Sequence, residues 1–558
     1  MATTAETIRV SVGDEPAREM PVGIRIEEIL GSDTGPGGLA YMGALVNYDL
    51  VSLSFALEVD CTVVPVDLTG PAGYRVYRRS LCYLLAKVMH ELYPEVRFAI
   101  EHSLGTGFYC TFETNGHGGM TPADLDAIAA KLAGLVEADL PIQRRKLSFF
   151  NALDQFKAEE QPDKYNLLQY RNPPIIVVYT CGEFSDLAHG VIAARTGMLR
   201  DYALHSYHEG FVIQFPARDT APAVPPLDDQ PELFKIFAEH KRWGRILGLT
   251  TVGELNRIIA ESRVEEYIRM AEGLHEKKIA RIADQVDGEK DRPHVILIAG
   301  PSSAGKTTLS KRLMVQLRVN GLRPVTISVD NYFVDRDDTP RDENGEFDFE
   351  HIEAIDLAFF NHHLQQLDQG EEIELPVFNF EKGKREFRGD RLCLHDGEIL
   401  ILEGIHCLNP RLADSVPEER KFKIYISALG QLNLDRHNRI STTDLRLLRR
   451  MVRDHQFRGH SALRTLQMWP SVRRGEKRWI FPNQKNADIM FNSALEYEMA
   501  ALKPLAEPML REVKPDCEEY ADARRLLEFL GYFLAASSDL VPPSSILREY
   551  IGKSSFEY

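Results

Sequence analysis

The sequence predicts a multidomain protein, α+β in its N-terminal part and α/β in its C-terminal part, the latter a doubly wound parallel sheet. Three observations predict it. At 558 residues the chain exceeds what one hydrophobic core fills. From Val295 to about Glu512, β and α signals alternate, opening with a strand, a glycine loop and a helix. Ahead of that, short β segments and single helices mix without alternation. A proline-rich stretch, Pro216–Pro231 ("PARDTAPAVPPLDDQP"), divides the two.

The elements follow in order. The first sixty or so residues read as β segments ("TIRVSV", "GALVNY", "CTVVPVDL") around one short helix ("RIEEILGS"). A helical stretch runs from Arg78 to Leu92, and a glycine-rich hairpin region follows, "SLGTGFYCTFETNGHGG". The next helix is well signalled: Thr121 caps it, Pro122 suits its first turn, and Leu125, Ile128, Leu132 and Leu135 recur at helical spacing. "PPIIVVYTCG" reads as a buried strand, and a charged helical run extends from about Glu232 to Asp287. The segment Cys517–Ala536 is amphipathic, with Leu526, Leu530, Phe533 and Leu534 on one stripe. Docking on the α/β part is expected for that stripe, with dimerisation as the alternative.

Composition narrows the function. The chain is 44% hydrophobic and 27% charged, an ordinary soluble composition, and its formal charge is −17. General attraction to a nucleic-acid backbone is therefore weak, and any RNA contact must be local. Apolar runs such as Val295–Ala299 are too short to span a bilayer, and "MATTAETIRV" has neither the basic nor the apolar part of a signal peptide. Seven scattered cysteines (Cys61, Cys82, Cys110, Cys181, Cys393, Cys407, Cys517) include no Cys-x-x-Cys pair. Reduced thiols and a cytoplasmic location are the expectation.

Gly300-Pro301-Ser302-Ser303-Ala304-Gly305-Lys306-Thr307 fits G-x-x-x-x-G-K-[ST], behind a strand and ahead of a helix with Leu309, Leu313 and Leu317 at i+4 spacing. Backbone N–H groups of such a loop converge on phosphate, the lysine neutralises it, and the threonine hydroxyl can ligate Mg²⁺. The phosphate grip is assigned to Gly300, Ser302, Ser303, Ala304, Gly305, Lys306, Thr307 and Thr308. Two acids end later strands, Asp330 and Glu403, and strand ends gather at the ligand crevice of a doubly wound sheet. One carboxylate could take a hydroxyl proton and another hold metal; the alternative is two solvated loop acids. Between Arg436 and Arg478 lie Arg439, Arg446, Arg449, Arg450, Arg453, Arg458, Arg464, Arg473 and Arg474. In an acidic chain they suggest a polyanion site on a helical lid, against a solvated basic face or a local RNA contact.

The segments "TISVDNYFVDRDD", "FDFEHIEAIDL", "ELPVFNF", "ILILEGIH" and "LRRMVRDHQFRG", through Ile480-Phe481-Pro482 and "NADIMFNSA", resemble the uridine kinase and phosphoribulokinase family of P-loop kinases. The resemblance implies ATP and Mg²⁺ as cofactors, with Thr307, Asp330 and Glu403 at the metal. It implies Asp330 as base, with Lys306, Glu403 and Arg453 beside it in catalysis, and Arg453 and Arg458 on the phosphates. Tyr332, Phe349, Glu350, Phe378 and Arg450 would meet the acceptor with Asp330. Where uridine kinases place a base-reading tyrosine and histidine, this chain has Phe378 and Gly383 in "PVFNFEKGKRE", and Glu350 replaces a shorter aspartate. Loss of a hydrogen-bonding pair weakens discrimination, so another nucleoside or ribose-like alcohol stays open as acceptor.

"YRRSLCYLLAKVMHELYPEVRFAIEHSLGTGFYCTF", "MTPADLDAIAAKL" and "FSDLAHGVIAARTG" resemble instead the front of threonyl-tRNA synthetases. The implied plan is a ubiquitin-like TGS domain at 1–67 and an editing-like α+β domain at 68–216. A connector at 217–290, the kinase-like domain at 291–512 and a helical extension at 513–558 follow. The editing family carries His-x-x-x-His and Cys-x-x-x-His, a set that binds metal or positions water. Here Arg79 and Tyr83, Ala188 and Ile192 stand at those four places. Cys82, Cys181 and His189 lie nearby, but a one-place offset on a helix turns a side chain by about 100°.

The leading reading is an ATP- and Mg²⁺-dependent kinase that phosphorylates a small-molecule hydroxyl, the 5′-hydroxyl of a nucleoside, in a chain that can form homo-oligomers. Against it stand a tRNA-binding or translation-linked NTPase switch and an editing hydrolase that the missing tetrad opposes. The N-terminal module is read as a non-catalytic binding or regulatory part, open to local tRNA or aminoacyl-nucleotide contact. Removing residues 1–225 should therefore change kinase kinetics, oligomeric state or ligand response. No change in any of the three excludes that role.

Overall fold

A computed structural model of the chain describes residues 6–31, 34–35, 37–114, 119–289, 294–343, 345–379 and 382–557. The first residues of the chain, the end of the glycine-rich hairpin at 115–118, the junction at 290–293 and residues 380–381 of the acceptor segment lie outside them. The chain forms two compact units. The first comprises 1–260, 431–440 and 507–534; the second comprises 261–430, 441–506 and 535–558.

The first unit opens with a five-stranded sheet, in the order Arg18–Pro21, Thr7–Val12, Cys61–Val66, Gly43–Val46, Asp49–Val51. Alternation of apolar residues puts Ile8, Val10 and Val63 on its buried face, against Ile26 of the helix Ile26–Leu30. The expected helix at Arg78 begins earlier and runs Pro71–Leu92. It packs with the helix Pro122–Glu137, which starts in a capping box of Thr121 and Asp124, over a four-stranded antiparallel sheet. Ile175–Cys181 is the middle strand of a separate three-stranded sheet.

Two expectations change here. The charged run is three helices, Pro231–Leu247, Val252–Ala260 and Val264–Gly288. Gly248, in the left-handed region at φ 67°, stops the first. The first two helices belong to the first unit and the third to the second, so 217–290 is not one connector. The stripe at 526–534, expected on the α/β part, falls in a segment of the first unit, where Leu526, Leu530 and Phe533 are buried.

The second unit is built on a parallel sheet ordered Arg323–Ser328, Glu398–Glu403, Val295–Ala299, Lys421–Ser427, Ile489–Asn492. Val295–Ala299, at its centre, is wholly buried, as a strand covered on both faces must be. It leads into the glycine loop and the helix Lys306–Val319, whose Leu309, Leu313 and Leu317 are out of water. Arg449, on the helix Thr442–Arg458, is fully buried and its Nε bonds Glu498 at 3.0 Å. Among the described residues no helix is long and apolar enough to cross a membrane.

Removing one partner of a buried ion pair strands the other charge. Arg449→Met should cost about 3–5 kcal/mol in urea unfolding, and Arg449→Met with Glu498→Leu should recover most of it. Equal stability of wild type and single variant would show the pair to be inert.

Candidate active site

The glycine loop keeps its shape by close contacts. A Cβ on Gly300 would collide with the Ile426 carbonyl, and Gly305, at φ 94°, caps the helix. Ser303 also takes a left-handed φ of 58°. Three arginines of the helix Thr442–Arg458 reach this loop. The Ser302 carbonyl accepts from Arg446 at 3.1 Å and the Ser303 carbonyl from Arg449 at 3.5 Å. Arg450 donates to the Ser302 hydroxyl at 2.9 Å.

Asp330 lies in the turn Val329–Tyr332 that follows the strand Arg323–Ser328, and Glu403 ends the neighbouring strand. Ser328 and Glu403 are register partners, as are Ile298 and Glu403, so the two acids and the loop open at one edge of the sheet. Burial, then the charge of Asp330, pushes the Glu403 carboxyl up to about 7, against the pull of Lys306. Glu350 is also pushed up to about 7 by burial, with Arg450 opposing and Glu476, Asp348 and Asp330 adding. These acids therefore share one electrostatic environment with Lys306 and Arg450 rather than being separate solvated loops.

The arginines divide. Arg446 closes on Glu476, with one N–O distance of 2.8 Å, and Arg473 meets the same carboxylate at 2.7 Å. Arg474 pairs with Asp342 at 2.6 Å, and Arg439 belongs to the first unit. The expected nine-arginine polyanion site thus contracts, because most of these charges are already matched by carboxylates. Arg450, Arg453 and Arg458 instead gather on one buried acid, Asp454, at 3.2, 3.0 and 3.4 Å. Burial opposes the charge of Asp454, but the three arginines outweigh it and hold its carboxyl below the usual range. Three cations on one anion leave positive charge beside the loop.

On the acceptor side, Tyr332 is corrected: its ring is fully buried against Phe359 and Phe360, and its hydroxyl meets His363 Nδ1 at 3.0 Å. That ring is core and does not face an acceptor. Phe349 is 38% exposed, and Phe378 packs on Phe333 with centroids 5.5 Å apart. Gly383 takes φ 66°, a conformation that strains any residue with a side chain, and a Cβ there would press on the Arg336 side chain, with Nε at 2.7 Å. Sequence reasoning missed Glu476, whose Oε1 accepts from the Ser302 N–H at 3.1 Å, and Glu549, whose Oε2 accepts from Thr308. It also missed His406, wholly buried and pushed down to about 3 by burial, hence neutral beside Glu350 and His351.

Mg²⁺ takes hard oxygen donors and usually keeps phosphate and water ligands. Among the described residues no group of three or more His, Cys, Asp or Glu could hold a metal. A divalent cation here would rest on Asp330, Glu403, the Thr307 hydroxyl and the substrate's own phosphates. The fit is favourable, because a cation would relieve the repulsion that raises Glu403.

In the first unit, the four positions of the editing tetrad hold other chemistry. Arg79 donates to the Val191 carbonyl at 2.9 Å, Tyr83 donates to that of Tyr179 at 3.1 Å, and Ala188 and Ile192 are buried in the core. A hairpin of the same unit, Asn433–Asp435 with Asn438–Arg439, fills the place beside them. Asp435 Oδ2 meets His189 Nε2 at 2.5 Å, and Asp186 joins Lys164 at 2.7 Å and His437 at 2.6 Å. The Arg436 N–H donates to Asp163 at 2.9 Å.

Folding raises the Glu403 carboxyl from 4.5 to about 7, so the folded chain holds this proton more tightly than the unfolded one. That contribution favours folding below the unfolded pKa and is lost as pH climbs toward 7. Glu403→Gln should therefore melt higher than wild type at pH 8, by on the order of 2 kcal/mol, and match it near pH 5. A pH-independent difference would contradict a buried charge at this position.

Comparison with known proteins fits this geometry. Residues 295–500 match the sequence model described as "Phosphoribulokinase / Uridine kinase family". The N-terminal region matches threonine–tRNA ligases. That of Symbiobacterium thermophilum is 33% identical over 213 residues, 37% of this chain and 32% of the ligase. That of Coxiella burnetii is 32% identical over 202 residues, 36% of this chain and 30% of the ligase. The chain thus spans about a third of the length of these relatives. A structure solved as "a Possible Uridine Kinase from Bacillus stearothermophilus" aligns at 19% identity and a TM-score of 0.25, over 36% of this chain and 89% of that one. Residues 295–500 are thus similar to the phosphoribulokinase/uridine kinase family, and they stand behind a region similar to threonine–tRNA ligases.

Proposed function

We propose that the second unit transfers the γ-phosphoryl group of ATP to the 5′-hydroxyl of a nucleoside, uridine-like or another ribose-like alcohol. The observation that carries this is the shared electrostatic environment of Lys306, Asp330, Glu403 and Glu350 at the open edge of the sheet. The loop N–H groups and Lys306 hold the donor phosphates. Asp330 takes the proton as the acceptor oxygen bonds to phosphorus and the bond to the bridging oxygen breaks, releasing ADP. Thr307, Asp330 and Glu403 would hold Mg²⁺, which supplies charge neutralisation of the phosphates when bound. Arg450 and Arg453 stabilise charge on the migrating group, with Arg458 behind them. Glu350 hydrogen-bonds ribose hydroxyls, and Phe349 and Phe378 offer apolar faces for a base. With Gly383 mute, base selectivity is expected to be weak.

The N-terminal unit is proposed to be non-catalytic, since Arg79, Tyr83, Ala188 and Ile192 stand at the four tetrad places and the hairpin at 433–439 engages the neighbouring His189 and Asp186. A local tRNA contact is supported by Arg144, Arg145 and Lys146, all exposed on the edge strand Gln143–Ser148. A salt titration of tRNA binding tests it: no measurable affinity at low salt rejects the contact.

The kinase reading is tested by screening nucleosides and ribose-like alcohols with ATP, following ADP release, with Lys306→Ala as blank. One or more acceptors should stimulate turnover, and Asp330→Ala should lower it by roughly 10²–10⁴-fold while nucleotide still binds. Acceptor-independent hydrolysis would favour a switch.

A further inference from the structure

We infer that the segment Ser545–Gly552 is an internal strap that occupies the donor-phosphate position and must withdraw when nucleotide binds. The inference rests on the loop at 300–307 as a nucleotide site. Thr308 sits in the first turn of the helix Lys306–Val319, where unpaired N–H groups and the helix dipole favour an anion. Its N–H and its hydroxyl both donate to one carboxylate oxygen, Glu549 Oε2, at 3.3 and 2.8 Å. A carboxylate here makes the same two bonds that a phosphate oxygen would make.

The carboxylate is delivered by a built segment. Ile546, Leu547 and Tyr550 are fully buried, and Arg548 ties the turn together by donating to the carbonyls of Ser538, Val541 and Gly552. The segment presses on the loop itself: a Cβ on Gly305 would meet Ile546 Cγ2 at 2.6 Å and the Tyr550 hydroxyl at 3.4 Å. The arginine-rich helix holds the other side. The Arg449 guanidinium lies 5.2 Å from the Tyr550 ring centroid, and Arg453 feels the charge of Glu549 after that of Asp454.

A second loop donor, the Ser302 N–H, is taken by Glu476. Donors of two residues at the phosphate loop, Ser302 and Thr308, are therefore taken by the chain's own carboxylates. A phosphate at Thr308 needs donors that Glu549 already uses, and two anions that close repel. Strap seating and nucleotide binding exclude each other at this residue. Glu549 also acts on the charge of Arg453, after Asp454, so the same displacement takes a competing anion away from that arginine.

The test is ADP binding to the full chain by titration calorimetry, for wild type, Glu549→Ala and the shape-preserving Glu549→Gln, with Lys306→Ala as control. Both Glu549 variants should bind ADP about tenfold more tightly, the scale of one hydrogen bond to a charged group. Hydrogen exchange on the wild-type chain gives a second readout, in which ADP should speed exchange of amides in 545–552. Unchanged or weaker affinity in both variants, or protection of 545–552 by ADP, overturns the strap. If wild type still binds and Lys306→Ala does not, the kinase reading survives that outcome. Absence of ADP binding in wild type and both Glu549 variants overturns the two together.

Discussion

Arg446 and Arg449 lie one turn apart on the helix Thr442–Arg458, both out of water, each closed on a carboxylate, Glu476 and Glu498. Their remaining donors reach the carbonyls of Ser302 and Ser303. Removing two guanidinium groups from water is costly, and only complete pairing offsets it. The phosphate loop, the arginine helix and the helix Glu498–Glu512 are thereby bound into one electrostatic frame. Glu350, Asp454 with its three arginines, and the seat of Glu549 all lie against that frame.

What could be read from the chain was local. The glycine motif carries its own flanking strand and helix, and strand-end acids follow from the geometry of a parallel sheet. What could not be read depended on distance or phase. Glu476 and Glu549 join the loop from 174 and 241 residues away, with no spacing to announce them. The arginines look alike in sequence, and Arg446, Arg449, Arg450 and Arg453 share one helix face, yet the first two meet Glu476 and Glu498 from distant segments while Arg450, Arg453 and Arg458 gather on Asp454. Tyr332 follows Asp330 by two residues, but the turn points its ring into the core. Gly383 looked like a lost recognition residue, and the structure shows it at a left-handed φ of 66° against the Arg336 side chain.

In the first unit the same lesson holds in another form. The positions of the tetrad are legible as substitutions, because Arg79, Tyr83, Ala188 and Ile192 cannot make its ligand set. What replaces the ligand is not legible, since Asp435 and His437 come from beyond the glycine loop in the chain. Burial works against the charge on Asp435, but His189, Lys164 and His437 hold its carboxyl low.

The hairpin at 433–439 has a consequence for how the chain can be divided. It folds with the first unit, yet the chain leaves the second unit after Gly430 and returns to it at Ser441, one residue before the arginine helix begins. The two units are therefore interlaced by thread, and no single cut separates them. A fragment starting at residue 261 would carry Asp435 and His437 without Lys164, Asp186 or His189, exposing an orphaned polar hairpin. Such a fragment would report the loss of a module and the unravelling of a borrowed loop as one effect. Circular rearrangement or excision of 431–440 is the surgery that distinguishes them.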